Sequence, residues 1–224
     1  QAWRATARES SVVQTIPLAR AGRFAMTRAL GIVAAAAMIL LFAALMIVVM
    51  PAVQLQATKQ APEGLQPYSP AAAKGREIYT SLGCVYCHSQ QPRDASLGPD
   101  AQRGWGRASV PQDYIYDSPH LLGSMRTGPD LLNIGARQPS IDWHLTHLYN
   151  PRAVMPGSIM PAYPFLFEIK NRAGENDTVV RLPPEFSVNG LVVARPDALD
   201  LVQYLLELDR TYPVDVLPVE EAEE

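Results

Sequence analysis

Hydrophobic and polar positions are unevenly shared along the chain. From Ala29 to Val53 (ALGIVAAAAMILLFAALMIVVMPAV) no charged residue interrupts an apolar run. About twenty apolar residues suffice to cross a bilayer as a helix. The run therefore predicts a transmembrane helix over 29–53, with Pro51 where a helix can stop. A cleaved leader would have a shorter apolar core, of about 7–15 residues, and no small-residue cleavage site follows, so a retained anchor is expected. Arg4, Arg8, Arg20, Arg23 and Arg28 precede the run with Glu9 as the only acid among them, and Lys59 is the one base close behind it. That bias places 1–28 in the cytoplasm. Everything after residue 54 then lies across the inner membrane, in the periplasm of a Gram-negative bacterium.

Past the run the pattern changes. Residues 54–73 mix Gln, Pro and Ala without apolar periodicity and predict an extended tether. Ala71 to Thr80 predicts a short amphipathic helix with Ile78 and Tyr79 on its apolar side, and Gly83 then permits a tight turn. Residues 89–123 are loop-rich. Pro129 is placed to start a short helix and Gly135 to end it. Ser140 or Asp142 can cap a helix over Trp143–Tyr149, stopped by Asn150-Pro151. Residues 151–166 read as extended. Thr178 to Arg195 predicts two short strands around Asn189-Gly190, a small hairpin insertion within 168–195. In 197–210, Leu201, Tyr204, Leu205 and Leu208 fall on one helical face. The tail 213–224 is acidic and predicted to be mobile.

Composition narrows the function classes. The 224 residues carry a formal charge of −3, which gives no reason to expect nucleic acid as a partner. The 20 prolines, most of them after residue 60, suit short helices wrapped around a large apolar cofactor, which would supply part of the core of a small domain.

The candidate chemistry lies at Cys84-Val85-Tyr86-Cys87-His88, which holds both cysteines of the chain. The C-x-x-C-H spacing reads as a covalent c-type haem site. Two thiols three positions apart can reach the two vinyl groups at one porphyrin edge, and the adjacent histidine can then serve as an axial iron ligand. Three other readings are weaker. A disulfide across so short a loop is strained. A zinc site would want a second ligand pair. A thioredoxin-like motif would open a βαβ unit. For the second axial position the residues leave alternatives open: Met160 in a Pro-flanked segment, Met155, Met125, or His120, His144 and His147. The alternative for each of these methionines is simple core packing, and for each histidine a surface or hydrogen-bonded role.

The stretches GREIYTSLGCVYCHSQ (75–90), YDSP (116–119), GSMRTGPDL (123–131) and WHLTHLYNPRAVMPGSIMPAYPFL (143–166) carry a resemblance. The chain resembles the membrane-anchored monohaem cytochrome c subunit, subunit II, of cbb3-type cytochrome c oxidases, with MPAYP at 160–164 as the most specific match. The resemblance implies a mostly α fold: one N-terminal transmembrane helix plus a class I cytochrome c-like haem domain over 74–212. It implies one haem c on Cys84 and Cys87, with His88 and Met160 as axial ligands. Pro129 would offer its carbonyl to the free His88 nitrogen, and Arg126 would pair with a haem propionate. Residues 91–113, Met125 and the 168–195 insertion depart from the family pattern. The implied function is electron transfer, with no active site of its own, as a subunit of a respiratory haem-copper oxidase. The implied partners are the catalytic subunit, other cytochrome c subunits and a soluble or tethered cytochrome c as donor. The rivals are the cytochrome subunit of a nitric oxide reductase and, from another class, a haem-based sensor or a small haem enzyme such as a peroxidase.

Overall fold

A computed structural model describes residues 18–58 and 61–214. The expectations for the first 17 residues and for most of the acidic tail lie outside that range. The described chain divides after Thr58 into two units.

The first unit is helical: α1 (Leu18–Ala44), a π-helical turn (Leu45–Val49) and α2 (Met50–Thr58). Residues Arg28–Gln54 make 27 residues long and apolar enough to cross a membrane, about 40 Å of helix against a hydrocarbon core of about 30 Å. Pro51 does not stop this helix; it runs on to Thr58, so the expected tether begins later than residue 54. The π turn supplies a reason. Proline has no N–H to give the carbonyl four residues back, and just before it the Met50 N–H reaches back five residues to the Leu45 carbonyl. One wider turn shifts the hydrogen-bond register so that the helix continues.

The second unit is built on two helices, α3 (Pro70–Ser81) and α6 (Pro196–Glu207). Both begin with proline at the first position, where no N–H is needed. The Ser69 hydroxyl accepts from the Ala72 N–H at 3.2 Å and caps α3. Gly83, at φ 73°, turns the chain out of it. Ala72, Gly75 and Tyr79 form the buried stripe of α3. They meet Leu201, Tyr204, Leu205 and Leu208 of the α6 segment, all buried, each leucine worth about 2 kcal/mol of transfer. Gly75 permits the close crossing, because a Cβ there would lie inside the Asp200 carbonyl and 2.9 Å from the Tyr204 Cβ.

Two short helices complete the helical part, α4 (Ile134–Arg137) and α5 (Ile141–Tyr149). Helix α4 starts at Ile134 rather than Pro129, and Gly135 lies inside it instead of ending it. A Cβ on Gly135 would come within 2.7 Å of the Leu206 carbonyl carbon, so this glycine serves the approach to α6. Ser140 caps α5, its hydroxyl accepting from the Trp143 N–H at 3.2 Å.

The two strands are β1 (Phe167–Lys170) and β2 (Leu191–Ala194), antiparallel, with Phe167 opposite Ala194 and Lys170 opposite Leu191. The expected hairpin around Asn189-Gly190 is thus corrected, since the main partner of β2 lies upstream of 178. The stretch after Thr178 meets β2 on its other edge through one bridge, Val179 to Val193, with the Val180 N–H donating to the Val192 carbonyl at 2.8 Å. Pro183 and Pro184 then turn the chain into a 3-10 turn (Pro184–Phe186). Two prolines cannot donate to a ladder, so the pairing does not run on to Asn189.

Candidate haem site

The cysteine motif follows α3 directly. Cys84–Tyr86 make a 3-10 turn in which the Cys87 and His88 N–H groups both donate to the Cys84 carbonyl, at 3.1 and 3.0 Å. Both cysteines are free thiols, Cys84 half-buried and Cys87 exposed. Burial pushes the Cys84 thiol up to about 11, so it is held protonated. Among the described residues no cluster of three or more His, Cys, Asp or Glu could hold a metal ion.

The strand of backbone after the motif is clamped from two sides. The Gly128 N–H donates to the Cys87 carbonyl and the Leu131 N–H to the Ser89 carbonyl, both at 2.8 Å, while the Gln90 N–H donates to the Leu122 carbonyl. Within this clamp His88 Nδ1 lies 2.8 Å from the Pro129 carbonyl. The carbonyl accepts, so Nδ1 carries the proton and Nε2 is the free lone pair. Burial lowers the His88 pKa, with the Pro129 carbonyl opposing, which favours the neutral ring that binds iron. Gly128 lies flat under the imidazole: a Cβ there would be 2.7 Å from Nδ1 and 2.9 Å from Nε2.

Arg126 is engaged by three partners within the chain. Its Nε donates to the Ser89 hydroxyl at 2.9 Å, and its two terminal nitrogens to Asp100 and the Gln91 carbonyl at 2.6 Å each. It also covers the Trp105 ring at 5.3 Å. The reason is electrostatic, because Asp100 and Asp130 are both buried, at 0% and 1% exposure, and a carboxylate removed from water needs a partner. Burial alone would raise the Asp100 carboxyl; the Arg93 amide and the Arg126 guanidinium outweigh it and hold it below its usual range. Burial raises Asp130, which Ser89, Gln91 and Leu132 partly offset through hydrogen bonds. Neither aspartate was a candidate on sequence grounds. The signal available was the repeated Gly-Pro-Asp at 98–100 and 128–130.

Of the three methionine candidates, Met155 and Met125 are exposed, at 54% and 58%. Met160 is packed against the core cluster that also receives Cys84, Val85 and Tyr163. Its segment is held to α5 by the Tyr163 N–H donating to the Leu148 carbonyl at 2.9 Å. The histidines separate as well. His120 meets the Tyr114 ring edge-on, and His144 is buried with Nε2 2.8 Å from the Gln138 carbonyl. His147 puts Nε2 3.2 Å from the Met160 Sδ. Burial, with repulsion from His144 and His88, lowers its pKa to about 4.

A family model described as cytochrome c oxidase, mono-heme subunit/FixO, matches residues 24–188, most of the chain. The chain belongs to this family. It is thus the mono-haem subunit of an oxidase, an electron-transfer component. A comparison with curated proteins returns no match. The donor set suits the family's single haem: a neutral histidine with a free Nε2, a thioether packed on the same core cluster as Cys84, two unpaired thiols, and a glycine whose missing side chain lets the loop lie against the histidine ring.

Proposed function

We propose that this subunit binds its haem covalently through Cys84 and Cys87, with His88 and Met160 as axial ligands. It would pass electrons from a cytochrome c to the catalytic subunit of a cbb3-type haem-copper oxidase. The observation that carries the ligand assignment is the His88–Pro129 contact, which presents a neutral imidazole with its free nitrogen outward, joined to the placement of Met160 on the cluster that holds Cys84. Haem supplies a one-electron couple when bound. The chain supplies orientation: Pro129 fixes the His88 ring, Gly128 lets the loop approach it, and Arg126 with Asp100 and Asp130 braces the loops on either side. Arg126 would also lie available to pair with a haem propionate, as the resemblance implies.

The reading extends to topology. The apolar helix would span the inner membrane with the arginine-rich segment in the cytoplasm and the second unit, of class I cytochrome c type, in the periplasm. The arginine bias and the extracytoplasmic chemistry of haem attachment support the same side.

Haem staining of a denaturing gel tests the attachment. The wild-type band should stain and the Cys84→Ala, Cys87→Ala chain should not; staining that survives the double change refutes covalent attachment through these thiols. Copurification in mild detergent tests the assembly, with a copper-containing haem protein expected as partner. A partner with non-haem iron and no copper would move the chain to a nitric oxide reductase.

A further inference from the structure

His147 is the side chain that this site does not explain. Its Nε2 lies 3.2 Å from the Met160 Sδ, and its Nδ1 is sealed from solvent without a partner. The ring stacks on Trp143, one helical turn earlier, at 4.6 Å between centroids and 8° between planes. Helix α5 and that stacking fix the plane of the imidazole. Histidines in a folded chain ordinarily satisfy a ring nitrogen with a carbonyl, as the half-buried His88 does with Pro129 and the buried His144 with Gln138. His147 is aimed at a thioether instead.

The chemistry of sulfur selects the tautomer. A thioether has lone pairs and no proton, so it can only accept. Two lone pairs facing each other at this distance would repel, so Nε2 carries the proton and Nδ1 is the bare nitrogen. The orphaned atom is then an unpartnered acceptor inside the protein, which costs free energy. The contact with Met160 is what that arrangement gains.

We propose that His147 is a positioning residue for Met160: its Nε2–H donates to one Sδ lone pair and leaves the other directed at the haem iron. The inference rests on the reading of Met160 as a ligand. Two effects follow. The thioether is held in one orientation, so the ligand does not depend on its own rotamer preference. The hydrogen bond also draws electron density from sulfur, which weakens its stabilisation of ferric iron and raises the reduction potential.

The test uses the full chain with its haem, in detergent, by redox titration and by the weak long-wavelength sulfur-to-iron band of the oxidised form. His147→Phe keeps a flat ring against Trp143 and removes the donor; His147→Gln restores an N–H donor. The expected result is an equilibrium constant for reduction up to about tenfold lower in the Phe chain, about 59 mV for one electron, with part of the shift recovered in the Gln chain. Wild-type potential and band in the Phe chain, with the band lost in Met160→Leu, would overturn the proposal while leaving the ligand reading standing. A band that survives Met160→Leu would overturn the ligand reading and this inference with it. Nitrogen NMR of the reduced wild-type chain gives a check that needs no variant: a proton on His147 Nε2 supports the proposal, and one on Nδ1 refutes it.

Discussion

Gly128→Ala should cost more than a methyl group on a loop ordinarily would. Gly128 has no positive φ, so alanine meets no backbone strain there. The cost comes from one contact. The added Cβ would lie 2.7 Å from His88 Nδ1 and 2.9 Å from Nε2, where ordinary contact begins at 3.4 Å. The ring cannot slide aside freely, because Nδ1 is tied to the Pro129 carbonyl at 2.8 Å and the Gly128 N–H to the Cys87 carbonyl at 2.8 Å. Overpacking of this kind costs about 1–3 kcal/mol, and the loss of the His88 bond adds about 1 kcal/mol. Together they predict roughly 2–4 kcal/mol, a fall of about 0.5–1 M in a guanidinium midpoint. Gly157→Ala, where nothing lies within 4 Å, is the control and should stay within about 0.5 kcal/mol. The decisive measurement is a double-mutant cycle. With His88→Ala in place the Cβ has no ring to meet, and the cost of Gly128→Ala should fall below about 0.5 kcal/mol. An undiminished cost in that background would show that the contact with His88 is not what excludes a side chain at 128.

Gly75→Ala should be as damaging for a different reason, because its Cβ would enter the Asp200 carbonyl and meet Tyr204; the helices must part, and a denaturation midpoint unchanged from wild type would contradict the crossing. Arg126→Met should cost about 3 kcal/mol by leaving Asp100 buried without its cation. Because Asp100 is held below its usual value, its stabilising share is present above the unfolded pKa and lost as pH falls through the folded one. The gap between Arg126→Met and wild type should therefore narrow in strong acid, and a gap constant with pH would count against the pairing. His147 is lowered to about 4, so the unfolded chain binds its proton first as pH falls below about 6.5. Stability should then drop by about 2 kcal/mol from pH 8 to pH 5 on account of this ring alone, and the slope of His147→Phe in that window should be flatter; equal slopes would refute the assignment.

What the sequence made legible was local or periodic. The apolar run, the Ser140 cap, the α6 stripe and the cysteine motif each need only neighbours within a turn or two. Pro51 misled because one π turn can rescue a register that a standard helix would lose. The strand pairing misled because Asn189-Gly190 is a strong local signal, while the two prolines at 183–184 that break the ladder act one step earlier. Gly135 read as a helix end, and only the position of Leu206 shows that it serves a close approach instead. The burial of Asp100 and Asp130 could not be read from either tripeptide alone, since Asp100 depends on Arg126 from another loop and Asp130 on Ser89 and Gln91 past the haem motif. His147 was visible as a histidine four residues after Trp143, hence on the same helical face. Its aim at Met160 depends on how an extended segment folds back onto α5.

Those long-range dependences converge on α6. The motif helix α3 crosses it at Gly75. The buried Gln90, two residues past His88, reaches it through a hydrogen bond from Nε2 to the Tyr204 hydroxyl at 2.9 Å, and the Tyr79 ring meets Tyr204 edge-on at 5.4 Å. The loop that carries Pro129 runs into α4, where the Gly135 N–H donates to the Leu208 carbonyl at 3.0 Å. Helix α5, which holds the Met160 segment, also packs on α6. His88, through its flanking loops, and the Met160 segment, through α5, thus both refer their positions to α6. On the proposed ligand assignment, a loop-rich chain would hold two iron ligands to a fixed geometry on those terms: the loops need only be short of slack at their attachment to one rigid element.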